Sequence, residues 1–284
     1  MISYFIFSLP YFLIFLLCCV YSSFQVVLKY FRYFLTSSNG RGHGVHSPFV
    51  YEFVKQVLND NRQFHCFNSI ERLRNELKSD KTEIEVPDFG AGSRLSAGRR
   101  RKVSSVAFSS LKPEKYAQLL FRLVHFYKPQ TIVELGTSLG VSTAYLSCAN
   151  PDAQIITMEG APEIATIAKA NFERLQLKNI EVVRGNFDET LPSVISQLSI
   201  INFAFIDGNH RKEPTLHYFD LLIAKANSSS ILVFDDIHWS RDMEAAWEAI
   251  KCHPSITLTI DLFFIGIVFL RTEQIVAEHF TIRF

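Results

Sequence analysis

The residues in this chain best suited to chemistry fall just after short apolar runs. Asp207-Gly208-Asn209-His210 follows one run and Asp235-Asp236-Ile237-His238-Trp239 follows another. Acids and imidazoles in such places rarely serve packing alone. Asp207, Asp235 and Asp236 offer carboxylates there. His210 and His238 offer imidazoles, which exchange protons near neutral pH. A further cluster is Glu134-Leu135-Gly136-Thr137-Ser138-Leu139-Gly140-Val141-Ser142. Gly136 and Gly140 permit a tight turn with close backbone approach. Ser142 is suited to opening the next helix as its cap, and a helix N-terminus attracts anionic groups. Glu159 follows about 20 residues beyond that turn, where a carboxylate takes ribose hydroxyls in nucleotide-binding sheets. Asn186-Phe187, after another run, suits contact with an adenine ring.

These residues need a sheet to bring them together, and the pattern predicts one. Apolar runs at 131–135, 154–158, 180–183, 201–206 and 231–234 alternate with helical patterns at 142–149, 162–177, 188–198 and 214–226. Such alternation means parallel βαβ units with helices on both faces. A helix at 243–251 then leads to two further runs, 257–261 and 263–270, joined by a tight corner. The expected fold is therefore α/β, a doubly wound, Rossmann-like sheet of seven strands with an antiparallel last strand. Ligands bind outside the C-terminal ends of such strands, where all the clusters above would lie. Upstream, amphipathic helices are expected at 48–58, 70–77 and 114–127, with a Gly- and Arg-rich connector at 84–102. Pro87-Asp88-Phe89-Gly90-Ala91-Gly92-Ser93 also pairs an acid with a glycine turn, but no apolar helix follows it. Arg99 to Lys102 reads as a solvated charge run, and His43 and His46 as part of a loop.

As a set, these motifs resemble class I S-adenosylmethionine-dependent methyltransferases, most closely small-molecule O-methyltransferases of the catechol O-methyltransferase type and related bacterial proteins. The resemblance covers residues 111–270. Gly42-His43-Gly44-Val45-His46-Ser47-Pro48-Phe49 is also similar to the N-terminal element of a bacterial subgroup. The resemblance implies that Glu134, Gly136 and Ser142 hold the methionine part of S-adenosylmethionine, with Ser138 and Gly140 also binding the cofactor. Glu159 would take the ribose and Asn186, Phe187 and Asp188 the adenine, with Asp207 also at the cofactor. Asp207 and Asp235 fall on two aspartate positions of the Mg2+ site in metal-dependent relatives. Asp236 stands where those relatives have asparagine, and His210 where catechol O-methyltransferase has a lysine base. Methyl transfer is an in-line displacement that needs a positioned nucleophile and a proton acceptor, a role open to His210 or His238. The expected reaction is O-methylation of a small-molecule hydroxyl, with metal assistance through Asp207, Asp235 and Asp236.

Three rivals share parts of this pattern. An NAD-dependent oxidoreductase would carry the three-glycine turn, whose second position is Ser138 here. A nucleic-acid amino-methyltransferase would carry a Pro-Pro-aromatic motif in place of Asp207-Gly208-Asn209-His210. A non-catalytic, membrane-tethered methyltransferase-like protein would not need both acid clusters.

Composition narrows the partners. The 284 residues carry a formal net charge of +1, which argues against nucleic-acid binding. Five scattered cysteines do not form a disulfide framework and suit a reducing compartment. Residues 1–28 contain no Lys, Arg, Asp or Glu, and Lys29, Arg32 and Arg41 follow. That run is long enough to cross a bilayer, and basic residues after it favour a cytoplasmic catalytic part. Tyr30, Phe31, Tyr33 and Phe34 would then sit at the membrane interface. The other reading is a mis-assigned start and a cytoplasmic protein. The expected organisation is a hydrophobic segment at 1–28, a helical cap and basic linker at 29–110, and a catalytic domain at 111–284. The sequence leaves the methyl acceptor and the oligomeric state open.

Overall fold

Helices come first in the chain. In the computed structural model, which describes residues 20–38, 40, 46–86, 100–273 and 276–284, α1 (Ser23–Thr36) opens on a capping box. The Ser22 hydroxyl accepts from the Gln25 amide, and the Gln25 side chain accepts from the Ser22 amide. Then come α2 (Pro48–Phe53), which runs into a π-helical turn at Val54–Leu58, and α3 (His65–Ser79). The short strands β1 (Glu83–Glu85) and β2 (Arg100–Lys102) pair antiparallel. They lead to α4 (Val103–Ser110) and α5 (Glu114–Tyr127).

From there strand and helix alternate as expected. The order is β3 (Thr131–Leu135), α6 (Val141–Ala149), β4 (Gln154–Glu159), α7 (Pro162–Arg174), β5 (Ile180–Arg184), α8 (Phe187–Gln197), β6 (Phe203–Ile206), α9 (Lys212–Ile223) and β7 (Ile231–Asp235). The chain ends with α10 (Arg241–Lys251), β8 (Leu258–Asp261), β9 (Ile265–Phe269) and β10 (Glu278–Thr281). The large sheet has the order β10-β8-β9-β7-β6-β3-β4-β5. Only β9 runs against its neighbours β7 and β8; the other pairings are parallel.

The sheet thus has eight strands, one more than expected, and β9 is not the last. β10 pairs with β8 at the edge. Its sequence, Glu-His-Phe-Thr, has alternate half-buried positions and no apolar run, so it carries little local strand signal.

Successive side chains of a strand point to opposite faces. Phe203 and Phe205 join one apolar cluster, and Ala204 and Ile206 join the other. Every side chain of β6, β7 and β9 is buried, as a sheet covered on both faces requires. Residues of the N-terminal helices, among them Phe53, Phe67, Ile70 and Val106, share the first cluster with Ile132 and Phe203.

The apolar N-terminal run does not continue as one helix through residue 28. The backbone is non-helical at Val20–Ser22, where Val20 bridges to Ser240, and α1 begins afresh at Ser23. Tyr33 does not sit at a membrane interface. It is buried, and its hydroxyl donates to the Ile282 carbonyl. Tyr30 packs edge-on to Phe263 with ring centres 5.1 Å apart. On the outer side Phe24, Val27, Leu28, Phe31 and Leu35 form an exposed stripe. Among the described residues, no helix is long and apolar enough to cross a membrane. Residues 1–19, the glycine segment 87–93, Arg99 and His43 lie outside the described residues; His46 is exposed.

Candidate cofactor and active site

The backbone ladder carries on past the strand ends and sets the loops side by side. Gly136 N donates to Met158 O at 3.0 Å, Asp207 N to Leu135 O at 2.8 Å, and Gly185 N to Glu159 O at 3.0 Å. Gly136 has φ +104°, and a Cβ there would stand 2.1 Å from the Asp207 carbonyl oxygen. Only glycine satisfies both conditions. A cavity of about 310 Å³ opens over these ends. Of the expected residues, Gly136, Ser138, Glu159, Asn186, Phe187, Asp207, His210, Asp235 and Asp236 line it.

One end of the cavity suits a nucleoside. The Glu159 carboxylate accepts from the amides of Ser138 and Ala161, each at 2.9 Å, which orients it beside the glycine turn. Burial raises its pKa and these amide donors oppose the rise. Asn186 Oδ1 accepts from the Asp188 amide at 3.1 Å and caps α8. The Phe187 ring meets Tyr218 edge-on at 5.9 Å. Tyr218 Oη donates to Asp188 Oδ1 at 2.8 Å and accepts from Asn209 Nδ2 at 3.1 Å. That chain of bonds holds the turn at Gly208–His210, where Asn209 has φ +61°.

Glu134, Gly140 and Ser142 do not reach the cavity, contrary to expectation. Glu134 is fully buried and accepts from Ser142 Oγ and Thr157 Oγ1 at 2.6 Å each, and from Thr143 Oγ1. Burial pushes its carboxyl up to about 6 against the pull of these hydroxyls. Gly140 has φ +84°, and a Cβ there would meet the Phe172 ring at 2.5 Å. These residues build the turn from beneath.

At the other end Asp207, His210 and Asp235 bring ligating atoms within 4.8 Å of one another. His210 Nε2 lies 3.6 Å from Asp207 Oδ1. Lys112, which the sequence did not single out, enters the same group. Its ammonium forms an ion pair with Asp235 and lies 3.6 Å from Asp207. Burial works against the charged lysine, but Asp207, Asp235 and Asp236 outweigh it and raise its pKa. Burial and the neighbouring Asp207 raise Asp235 to about 7 against the pull of Lys112. Asp236, with φ +53°, lines the cavity but stands outside the three-residue group. This set does not fit a resident divalent ion. Magnesium demands near-octahedral oxygen ligation, and an ammonium already bridges the two central carboxylates.

Lys112 directly precedes Pro113 at the start of α5, and nothing in that local sequence marks it as functional. Arg101 was also missed. It belongs to β2 and not to a solvated loop, lines the cavity, and donates to Ser109 Oγ at 2.8 Å. Ser110 Oγ lies 2.7 Å from Ser138 Oγ and ties α4 to the glycine turn.

His238 is displaced from the role expected of it. It does not line the cavity, and its two ring nitrogens face Glu244 Oε1 at 3.0 Å and Asp261 Oδ2 at 2.8 Å. Burial lowers its pKa, but the bonds to Asp261 and Glu244 overcome this and raise it to about 9. An imidazolium so held is no proton acceptor at neutral pH. It serves instead to tie the sheet to α1 and the turn before it, since Glu244 also accepts from Tyr21 Oη at 2.5 Å and from Lys29 Nζ at 2.9 Å.

A raised folded-state pKa gives stability that is fully present below the unfolded value of about 6.5 and is lost as pH rises through about 9. The contribution is on the order of 3 kcal/mol. Urea unfolding of the wild-type chain is expected to weaken across that window, and His238→Gln to lose the trend. A variant that retains the full trend would place its origin elsewhere.

Residues 133–237 match the family described as a methyltransferase domain. This segment is a class I methyltransferase domain. A catechol O-methyltransferase of Niastella koreensis is 29% identical to the chain over 126 residues, 43% of this chain and 55% of that protein. A catechol O-methyltransferase of Mycobacterium tuberculosis is 26% identical over 152 residues, 53% of this chain and 66% of that protein. The chain thus spans less than two thirds of the length of either relative. An O-methyltransferase from Bacillus cereus, solved in complex with SAH, has a TM-score of 0.52 at 19% identity, covering 78% of this chain and 97% of its own. TomG from Streptomyces achromogenes, solved in complex with SAM, has a TM-score of 0.53 at 15% identity, covering 78% and 95%. At such identities these neighbours share the fold. The methyltransferase domain contributes the cavity floor, while Arg101, Ser110 and Lys112 reach it from outside the matched segment.

Proposed function

We propose that the chain transfers a methyl group from S-adenosylmethionine to a hydroxyl of a small-molecule acceptor. The observation that carries this reading is one cavity with Glu159 held beside the glycine turn at one end and the His210–Asp207 pair at the other. The residues fit an adenosyl group. Glu159 lines the cavity with acceptor capacity left beside its two amide bonds, Phe187 presents a ring, and Gly136 lines the wall without a side chain. S-adenosylmethionine supplies an electrophilic methyl on a sulfonium.

The chain's own work is to orient and to move a proton. Walls at Ser138, Asn186 and Phe187 align the donor, and His210 takes the acceptor's hydroxyl proton. Asp207, 3.6 Å from His210, would steady the imidazolium that results. No divalent ion is assigned to Asp207, Asp235 and Asp236, for the reason given above. The same reading keeps residues 2–28 as a membrane contact, supported by the exposed apolar stripe on α1.

Calorimetry with S-adenosylmethionine and with NAD tests the assignment. S-adenosylmethionine is expected to bind and NAD not to. Glu159→Ala should weaken binding about 100-fold, because each hydrogen bond to a charged group is worth roughly 1.5–3 kcal/mol. Binding of NAD alone would make the chain an oxidoreductase, and binding of neither would make it a non-catalytic relative.

A further inference from the structure

We propose that Lys112 is the built-in cation of this active site: its ammonium stands where a divalent ion would bridge Asp207 and Asp235, so the site works without metal. The role in methyl transfer rests on the function proposed above, whereas the exclusion of metal rests on geometry alone. The side chains of Lys112, Asp235 and Asp207 are 12%, 1% and 17% exposed. Buried charges must be paired, because leaving one uncompensated is strongly destabilising. Lys112 meets that need for both carboxylates at once. It is placed for this by the chain path, since it is the last residue before Pro113 and α5.

A divalent ion at the same carboxylates would face the ammonium across a few ångströms of low-dielectric interior, where like charges repel strongly. It would have to displace the Lys112 ammonium to take its ligands. One carboxylate oxygen, Asp235 Oδ1, is buried without a hydrogen-bond partner. With Lys112 removed, that oxygen and its neighbours become an open set of hard ligands.

The lysine therefore conceals a metal site, and deleting it should expose one. Mn2+ binding is followed by electron paramagnetic resonance on the full chain, together with thermal unfolding. The wild-type chain is expected to leave Mn2+ free and to show the same methyl transfer with or without EDTA. Lys112→Ala is expected to bind Mn2+ at least about 100-fold more tightly than wild type, as loss of a competing buried charge predicts. Its melting temperature should rise with Mn2+, a response that a merely structural lysine would not create. Adding Asp235→Asn to Lys112→Ala should abolish the gain.

If Lys112→Ala folds only with Mn2+ present, that too supports the proposal. If it does not fold at all, the wild-type measurements decide. Tight Mn2+ binding by wild type at these carboxylates, or activity lost to EDTA and restored by Mg2+, overturns the proposal. So does a folded Lys112→Ala that ignores Mn2+. Failure to bind S-adenosylmethionine while Mn2+ is still excluded would sink the activity and leave the lysine's role standing.

Discussion

Gly136→Ala is expected to lose about 3 kcal/mol or more of folding stability and all measurable cofactor binding. Two separate costs add. The φ of +104° is a region that L side chains rarely occupy, a strain of about 1–3 kcal/mol. The new methyl would also stand 2.1 Å from the Asp207 carbonyl oxygen, a backbone atom and not a movable side chain. Neither partner can yield cheaply. Asp207 N is bonded to Leu135 O at 2.8 Å, and Gly136 N to Met158 O at 3.0 Å. Relief would mean separating β3 from β6 at the place where both deliver site residues. Forced overpacking of this kind adds roughly 1–3 kcal/mol. Urea denaturation gives the stability and calorimetry the affinity. A variant within about 1 kcal/mol of wild type that still binds S-adenosylmethionine would show that the turn is not held as described.

His210→Ala is expected to lower kcat by about 10²–10⁴ while leaving S-adenosylmethionine affinity close to wild type, the range for loss of a positioned proton acceptor. The two histidines near the strand ends form an internal contrast. His210 lines the cavity 3.6 Å from Asp207 Oδ1. His238 is spent on Glu244 and Asp261 and held protonated, with a pKa of about 9. Release of S-adenosylhomocysteine, measured with an acceptor found by mass spectrometry of extracts incubated with methyl-labelled donor, reads the rate. Full turnover by His210→Ala would remove the histidine from the proton path. A loss of affinity equal to the loss of rate would make it a binding residue instead.

How much of this was legible beforehand depends on the range of the interaction concerned. Strands β3 to β9 announce themselves through local apolar runs. In a parallel sheet each strand's C-terminal end reaches the same edge, so Glu159, Asn186, Asp207 and Asp235 could be assigned to one cleft from chain order. Glu134 and Ser142 bear the right types for a cofactor loop, but whether a carboxylate faces the cavity or the core depends on one step of strand register. Glu134 faces inward, to the three hydroxyls of Ser142, Thr143 and Thr157. β10 has no apolar run of its own and exists because β8 offers it an edge.

What the sequence by itself determined is the alternation of elements, the glycine-bearing turn after β3 and the set of acids at the C-terminal ends of the strands. These follow from hydrophobic periodicity and backbone freedom, which act over a few residues. Only the tertiary structure decided what those acids are paired with. Lys112 lies 123 residues before Asp235, and His238 meets Asp261 23 residues on. Both pairings arise from packing that brings distant segments together and then demands a counter-charge for each carboxylate it buries. The physical reason is burial: an exposed lysine there would be one more solvated charge, whereas beside two buried aspartates it becomes the cation of the site.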